Sequence, residues 1–294
     1  MTRTAPTSPN RRQLLIGTAA LLTASAIAKP GVAAADGDYG PIFDAHFHIF
    51  DPEYPLSAND GFTPQPFSVS DYQNKIEGLN FAGGALVAAS FQGDRQQYML
   101  DGLAELGSNY VGVIQLAPDA TDQDILKLDK AGVKGARVNI FREGKPDTGT
   151  LAALGSRIWD TAGWSLEVYA SAKTLVDMEK ELENVPQLVI DHLGMGPEAL
   201  PVLQRLAEQG ARIKASGFGR LGSMDIPKTL KAIASVNPES LMFGSDLPST
   251  RAKQPFKPAD IKLIWDALGD NMGRMALYDN AVAFYRPEGI LSQP

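Results

Sequence analysis

Short apolar runs alternate with longer amphipathic segments along most of the chain. Runs that alternate with period two, or are continuously apolar, predict strands at 41–50, 85–91, 110–116, 135–140, 166–170, 187–192, 212–216 and 241–246. Apolar residues at helical spacing predict helices near 71–80, 93–107, 121–131, 149–163, 172–184, 197–209, 225–236 and 258–269, and a last helix near 271–285 closes the chain. Strands and helices alternating eightfold over about 250 residues have the rhythm of an α/β fold, a single-domain (β/α)8 TIM barrel. A doubly wound open sheet competes with it, but that fold favours a glycine-rich phosphate turn after the first strand. His46 and His48 occupy that place here. The stretch 51–69 breaks the alternation with several Pro and Gly residues, which predicts a lid or substrate wall over the barrel mouth.

Residues 1–35 stand outside this pattern. Ser8-Pro9-Asn10-Arg11-Arg12-Gln13-Leu14-Leu15 is a twin-arginine motif, an uncharged apolar run follows to Ala28, and Ala33-Ala34-Ala35 offers a small-residue cleavage site. The run is shorter than the ~20 apolar residues a membrane helix needs. The segment therefore reads as a twin-arginine export signal, cleaved after Ala35 in preference to Ala28. It leaves one domain at 36–294 in the periplasm, without stable membrane association. The signal holds four of the 27 basic residues and none of the 34 acidic ones, so the remainder has a net charge of −11. That field disfavours nucleic acid and anionic membrane surfaces as partners. The chain has no cysteine, which removes disulfides and thiolate metal sites. Oligomeric state has no signature in the sequence.

Barrel enzymes carry their chemistry at the C-terminal ends of the strands. The predicted ends supply His46 and His48 on strand 1, Arg137 and Asn139 on strand 4 with Arg142 just beyond, and Tyr169 on strand 5. They also supply Asp191 and His192 on strand 6, Lys214 and Ser216 on strand 7 with Arg220 beyond, and Asp246 on strand 8. All three histidines of the chain fall in this set. His46 and His48, two residues apart in a strand, aim two imidazoles at one point, which suits a metal, a carbonyl oxygen or a substrate anion. Ser90, Gln92 and Gln115 are expected to point toward the mouth as supporting donors. Arg251, after strand 8, is expected at the surface in preference to the mouth, and Trp159, Trp164 and Trp265 in core or helix packing rather than a binding platform.

Asp44-x-His46-x-His48-x-Phe50-Asp51-Pro52, Gly135-x-Arg137-x-Asn139, Asp191-His192-x-Gly194, Lys214-x-Ser216-Gly217 and Gly244-Ser245-Asp246-x-Pro248 occur in this order. Together with the closing Asp279-Asn280-Ala281-x-x-x-Tyr285, they resemble the amidohydrolase superfamily (amidohydrolase family 2) over residues 41–287. Within it, the chain is similar to the 2-pyrone-4,6-dicarboxylate lactonase branch. The resemblance implies a hydrolase that opens a small carboxylated lactone, of the 2-pyrone-4,6-dicarboxylate or sugar-acid kind, without a cofactor. Asp246 is then the general base toward water. His46, His48 and His192 polarise the carbonyl and stabilise the oxyanion. Arg137, Arg142, Arg220 and Tyr169 hold substrate carboxylates. Two departures bear on the substrate. The branch has an arginine where this chain has Met195, and its lid tyrosine has only Tyr54 and Phe62 as counterparts.

His46, His48, His192 and Asp246 are also a donor set for zinc, as in metal-dependent members of the superfamily. Arg137 at the strand-4 position argues the other way, since a guanidinium repels a divalent cation and binds carboxylate. The metal-free arrangement is the favoured expectation. A zinc-dependent hydrolase or nonoxidative decarboxylase is the alternative, and a non-catalytic exported binding protein for organic acids is a third reading.

Overall fold

The computed structural model describes residues 37–93 and 95–292. The expected export signal, residues 1–35, lies outside the described residues. Eight strands, β1 (Ile42–Phe47), β2 (Phe81–Val87), β3 (Tyr110–Ile114), β4 (Val133–Asn139), β5 (Ser165–Tyr169), β6 (Leu188–Ile190), β7 (Arg212–Ala215) and β8 (Leu241–Phe243), pair in parallel in chain order. Between them run α1 (Val69–Ile76), α2 (Gln97–Leu106), α3 (Asp122–Lys130), the short α4 (Ile140–Glu143), α5 (Thr150–Ala162), α6 (Ala172–Leu182), α7 (Leu200–Glu208) and α8 (Ile226–Ala234). This is a (β/α)8 barrel, as the hydrophobic rhythm predicted.

Local signals explain the helix starts. Ser68 with Asp71 and Thr121 with Asp124 form capping boxes for α1 and α3. The expected boundary near 270 is real but subtler than two separate helices. α9 (Ala259–Arg274) continues through a break at Gly269, where φ is +72°, and a π-helical turn at Met275–Asp279 leads into α10 (Asn280–Tyr285). One strand lies elsewhere than expected: β2 begins four residues before the expected 85–91 and ends at Val87. The Gly83-Gly84 pair interrupts the apolar pattern without interrupting the strand.

The core has two layers. Phe43, Ala45, Val87, Val113, Val189 and Met242 fill the barrel interior, joined by Ala281 and Tyr285 of α10. The larger layer lies between strands and helices, with Phe47 stacked on Tyr72 of α1 at 3.9 Å. A register shift between Asp44 and Phe47 disturbs the alternation of β1. Asp44 bonds Tyr72 on the helix side, whereas His46 meets Lys214 of β7 across the interior.

The seam between β8 and β1 is closed beyond the end of β8. Asp246 N donates to His46 O at 2.7 Å, and His48 N donates to Leu247 O at 2.8 Å. A Cβ on Gly244 would stand 2.6 Å from His46 Cβ, so this close approach requires glycine. The bonds that close the barrel also set the relative positions of His46, His48 and Asp246.

Candidate active site

The three histidines and Asp246 converge at the C-terminal mouth. Asp246 Oδ1 lies 3.6 Å from His48 Nε2, 3.9 Å from His192 Nε2 and 4.0 Å from His46 Nε2. The other carboxylate oxygen, Oδ2, accepts from Arg220 Nε at 2.6 Å. Asp246 and His192 both have positive φ, 56° and 50°, a backbone state that non-glycine residues adopt only when their surroundings impose it. Asp44 supplies part of that imposition. Its buried carboxylate accepts from Ser245 N at 2.8 Å and Ser245 Oγ at 2.6 Å, which ties β1 to the turn bearing Asp246. Gly217, with φ +61°, leaves room for the His192 ring, since a Cβ there would come within 2.7 Å of Nδ1.

The rings differ in what they present. His48 Nδ1 donates to Val87 O at 2.8 Å, which turns Nε2 toward Asp246 Oδ1. His46 Nδ1 lies 3.2 Å from the Lys214 ammonium, a donor only, so Nδ1 accepts and Nε2 carries the proton. Asp191 Oδ1 is 3.3 Å from the same Nδ1 but forms no aligned hydrogen bond. His192 Nδ1 pairs with Ser216 Oγ at 2.9 Å. Burial holds His46 well below the usual histidine range against the pull of Asp191. It brings His192 down to about 4 against Asp246 and Asp191. Both rings are therefore neutral at pH 7. Burial alone would raise Asp246, but Arg220 and the histidines outweigh it and hold the carboxyl below the usual range.

Beneath this cluster lies a buried ion network. Lys214 Nζ donates to Glu167 Oε2 at 2.5 Å, and Tyr285 Oη donates to Glu167 Oε1 at 2.5 Å. Arg137 Nε donates to Asp191 Oδ2 at 2.9 Å, and its Nη1 to Ala88 O at 3.1 Å. The Arg137 guanidinium lies 5.0 Å from the centroid of the Tyr169 ring, whose edge meets His192. Above opens a cleft lined by His48, Arg137, Tyr169, His192, Arg220 and Asp246.

A family model described as Amidohydrolase, family 2, matches residues 43–286. The chain belongs to this amidohydrolase family. Among curated relatives, the chain is 23% identical over 229 residues to a 4-sulfomuconolactone hydrolase of Hydrogenophaga intermedia, covering 70% of this chain and 74% of that one. It is 28% identical over 156 residues to a 2-pyrone-4,6-dicarboxylate hydrolase of Comamonas testosteroni, covering 51% of each. It is 24% identical over 264 residues to a D-galactarolactone isomerase of Agrobacterium fabrum, covering 83% of this chain and 90% of that one. All three relatives are named for reactions of lactones.

Within this amidohydrolase, His48, His192, Asp246, Arg137, Tyr169, Arg220 and Arg142 line a single shared cleft, and His46 sits beneath it against Asp246. The arginines are already engaged. Arg220 holds Asp246, Arg137 holds Asp191, and Arg142 pairs with Asp60 of the mouth loop. Arg251 corrects its surface expectation: it lines the cleft, with its side chain only 22% exposed. Its position follows from the turn after Asp246, where Ser249 and Arg251 also have positive φ, a geometry with no periodic signal in the sequence. Trp164 is fully buried, but Trp159 is 41% exposed on α5 rather than packed in the core. Gln115 pairs with Glu143, Gln92 braces Ile49 O, and Ser90 accepts from Asn59. Glu167, masked in the apolar run of β5, was not singled out as a site residue from the sequence.

Donor type and convergence alone would suit a metal. His46, His192 and Asp246 bring ligand atoms within 4.8 Å of one another, and His46 Nε2 and Asp246 Oδ1 have no hydrogen-bond partner among the described residues. Charge does not fit. With His46 and His192 neutral, the carboxylates Asp191, Glu167 and Asp246 are paired with Arg137, Lys214 and Arg220. A divalent ion would add two uncompensated charges to a buried site, where each costs several kcal/mol. His46 would also have to lose its Nε2 proton, against the Lys214 contact.

Proposed function

We propose that this protein hydrolyses a small carboxylated lactone, of the 2-pyrone-4,6-dicarboxylate or sugar-acid kind, without a metal ion. The observation that carries this reading is the pairing of a charge-balanced buried network with two unsatisfied atoms facing one point, Asp246 Oδ1 and His46 Nε2. A water between Asp246 Oδ1 and His48 Nε2 donates one hydrogen to each. As its oxygen attacks the ring carbonyl carbon, Asp246 takes a proton and the carbonyl electron pair moves onto oxygen. His46 Nε2–H and His192 face that oxyanion, fixed in place before the reaction begins. The intermediate then breaks its bond to the ring oxygen, and the proton returns from Asp246 to that oxygen.

The Arg220 contact keeps Asp246 ionised but a weak base. A substrate carboxylate competing for Arg220 would loosen that contact and raise the basicity of Asp246 as the substrate binds. Arg137, Arg142 and Tyr169 complete the carboxylate contacts. The relatives' lactone chemistry supports the substrate class. The test is a lactone panel assayed by acid release. Carbon dioxide release in place of acid would favour a decarboxylase, and saturable binding of every lactone with no turnover would favour a binding protein. The proposal includes export of a single domain at 36–294 to the periplasm. Cell fractionation tests it, and retention of the protein in the cytoplasm would overturn it.

A further inference from the structure

The cleft mouth holds a carboxylate, Asp60, and a guanidinium, Arg251, that the reaction above does not use. The loop from Asp51 to Gln65 is anchored at its base, where Phe50 and Phe67 exchange backbone hydrogen bonds at 2.7 and 2.9 Å. At its tip, Asn59 and Phe62 do the same at 2.9 and 3.0 Å, and Asp60 and Gly61 between them both have positive φ, 48° and 69°. This is a two-residue hairpin turn, a stiff way to present a side chain. The presented side chain is the Asp60 carboxylate, which pairs with Arg142 beyond β4 and lies 3.6 Å from Arg251 Nη1 beyond β8. Both guanidiniums line the cleft that holds Asp246.

We propose that Arg142 and Arg251 form an anion subsite at the mouth, and that Asp60 occupies it until the distal anionic group of a substrate displaces it. Asp60 is then a specificity-determining residue. It sets a threshold that a ligand with one anionic group does not meet and a ligand with two does. This rests on the proposed carboxylated substrate but not on its hydrolysis.

Two observations support displacement over a fixed structural contact. The Asp60 side chain is 70% exposed, so exchanging it for another carboxylate costs little desolvation. The tip also has other anchors. Arg251 donates to the backbone oxygen of Asn59 and lies 4.8 Å from the Phe62 ring centroid, and Asn59 Nδ2 donates to Ser90 Oγ at 2.9 Å. Removing the Asp60 charge therefore leaves the tip in place and the two guanidiniums open.

Benzoate and isophthalate, flat ring ligands with one and two carboxylates and no bond to hydrolyse, separate the subsite from catalysis. Calorimetric titration of the folded full-length protein should show Asp60→Asn binding isophthalate about tenfold tighter than wild type, with benzoate changed less than twofold. Arg251→Gln should remove most of the advantage of isophthalate over benzoate, alone and combined with Asp60→Asn. Unchanged or weaker isophthalate binding by Asp60→Asn would overturn the proposal, as would an advantage that survives Arg251→Gln. If these binding results hold while no lactone is turned over, the hydrolase reading fails and the subsite stands.

Discussion

The floor and the mouth of the cleft both consist of arginines and carboxylates, yet they are built to opposite ends. On the floor, Arg137, Glu167 and Lys214 come from β4, β5 and β7 and Asp191 directly follows β6; all are buried, and the pairs are held at 2.5–2.9 Å. At the mouth, Arg142, Asp60 and Arg251 come from three connecting segments, and the Asp60 carboxylate stands largely in water. Fixed dipoles in a dry site stabilise developing charge without reorganising, which suits the proposed chemistry on the floor. Exchangeable pairs in water cost little to break, which suits selection among ligands. In the proposed scheme the same residue types serve chemistry below and choice above because burial differs.

The comparison can be broken first at the junction of the two regions. Asp246→Asn should lower lactone turnover by about 10²–10⁴-fold with the fold retained by circular dichroism, since it removes the proposed base. Next in size, Lys214→Met leaves Glu167 and the Lys214-facing side of Asp191 without their cation. Breaking such a buried pair costs about 3–5 kcal/mol. For a domain of this size, calorimetry should record a fall in melting temperature of roughly 10 °C. Equal thermal losses from Lys214→Met and from a mouth variant would erase the distinction.

A third effect is pH-dependent. The folded state holds His192 down to about 4, whereas the unfolded chain protonates it near 6.5. Between those values the unfolded state binds more protons, so the stability contributed by His192 falls as pH drops from about 6.5 to about 4. Asp44, pushed up to about 6 by burial despite its bonds from Ser245, binds its proton more readily when folded and opposes that trend between 3.8 and about 6. Replacing His192 by Gln should therefore flatten the decline in melting temperature between pH 6.5 and 4. An unchanged slope would contradict the neutral, buried ring. The smallest effect belongs to the mouth. Arg142→Ala should raise KM several-fold at constant kcat, the mark of binding shared by ground and transition states, and shift the melting temperature by less than about 2 °C.

The barrel was legible because parallel strands buried on both faces read as apolar runs between amphipathic helices. The convergence at the strand ends was legible because His46, His48, His192 and Asp246 are polar residues at or just beyond the ends of apolar runs. Their partners were harder to see. Arg137 and Arg220 could be placed at the mouth, but that they are bound to Asp191 and Asp246 is a property of three-dimensional distance. Asp44 lay in the motif, yet the register shift in β1 sends it to brace Ser245, which no period-two pattern foretells. Arg251 depends on a run of positive-φ residues after β8, a signal carried by tertiary packing at Ser249 and Arg251 where no glycine marks it.

The central claim is that a balanced set of protein charges leaves no place for a metal in the reaction. The most direct measurement is lactone turnover by protein stripped with a chelator, with metal content determined on the same sample. The account predicts an undiminished rate at well under one metal ion per chain and no gain when zinc is returned. Activity that vanishes with the metal and returns with stoichiometric zinc would contradict it.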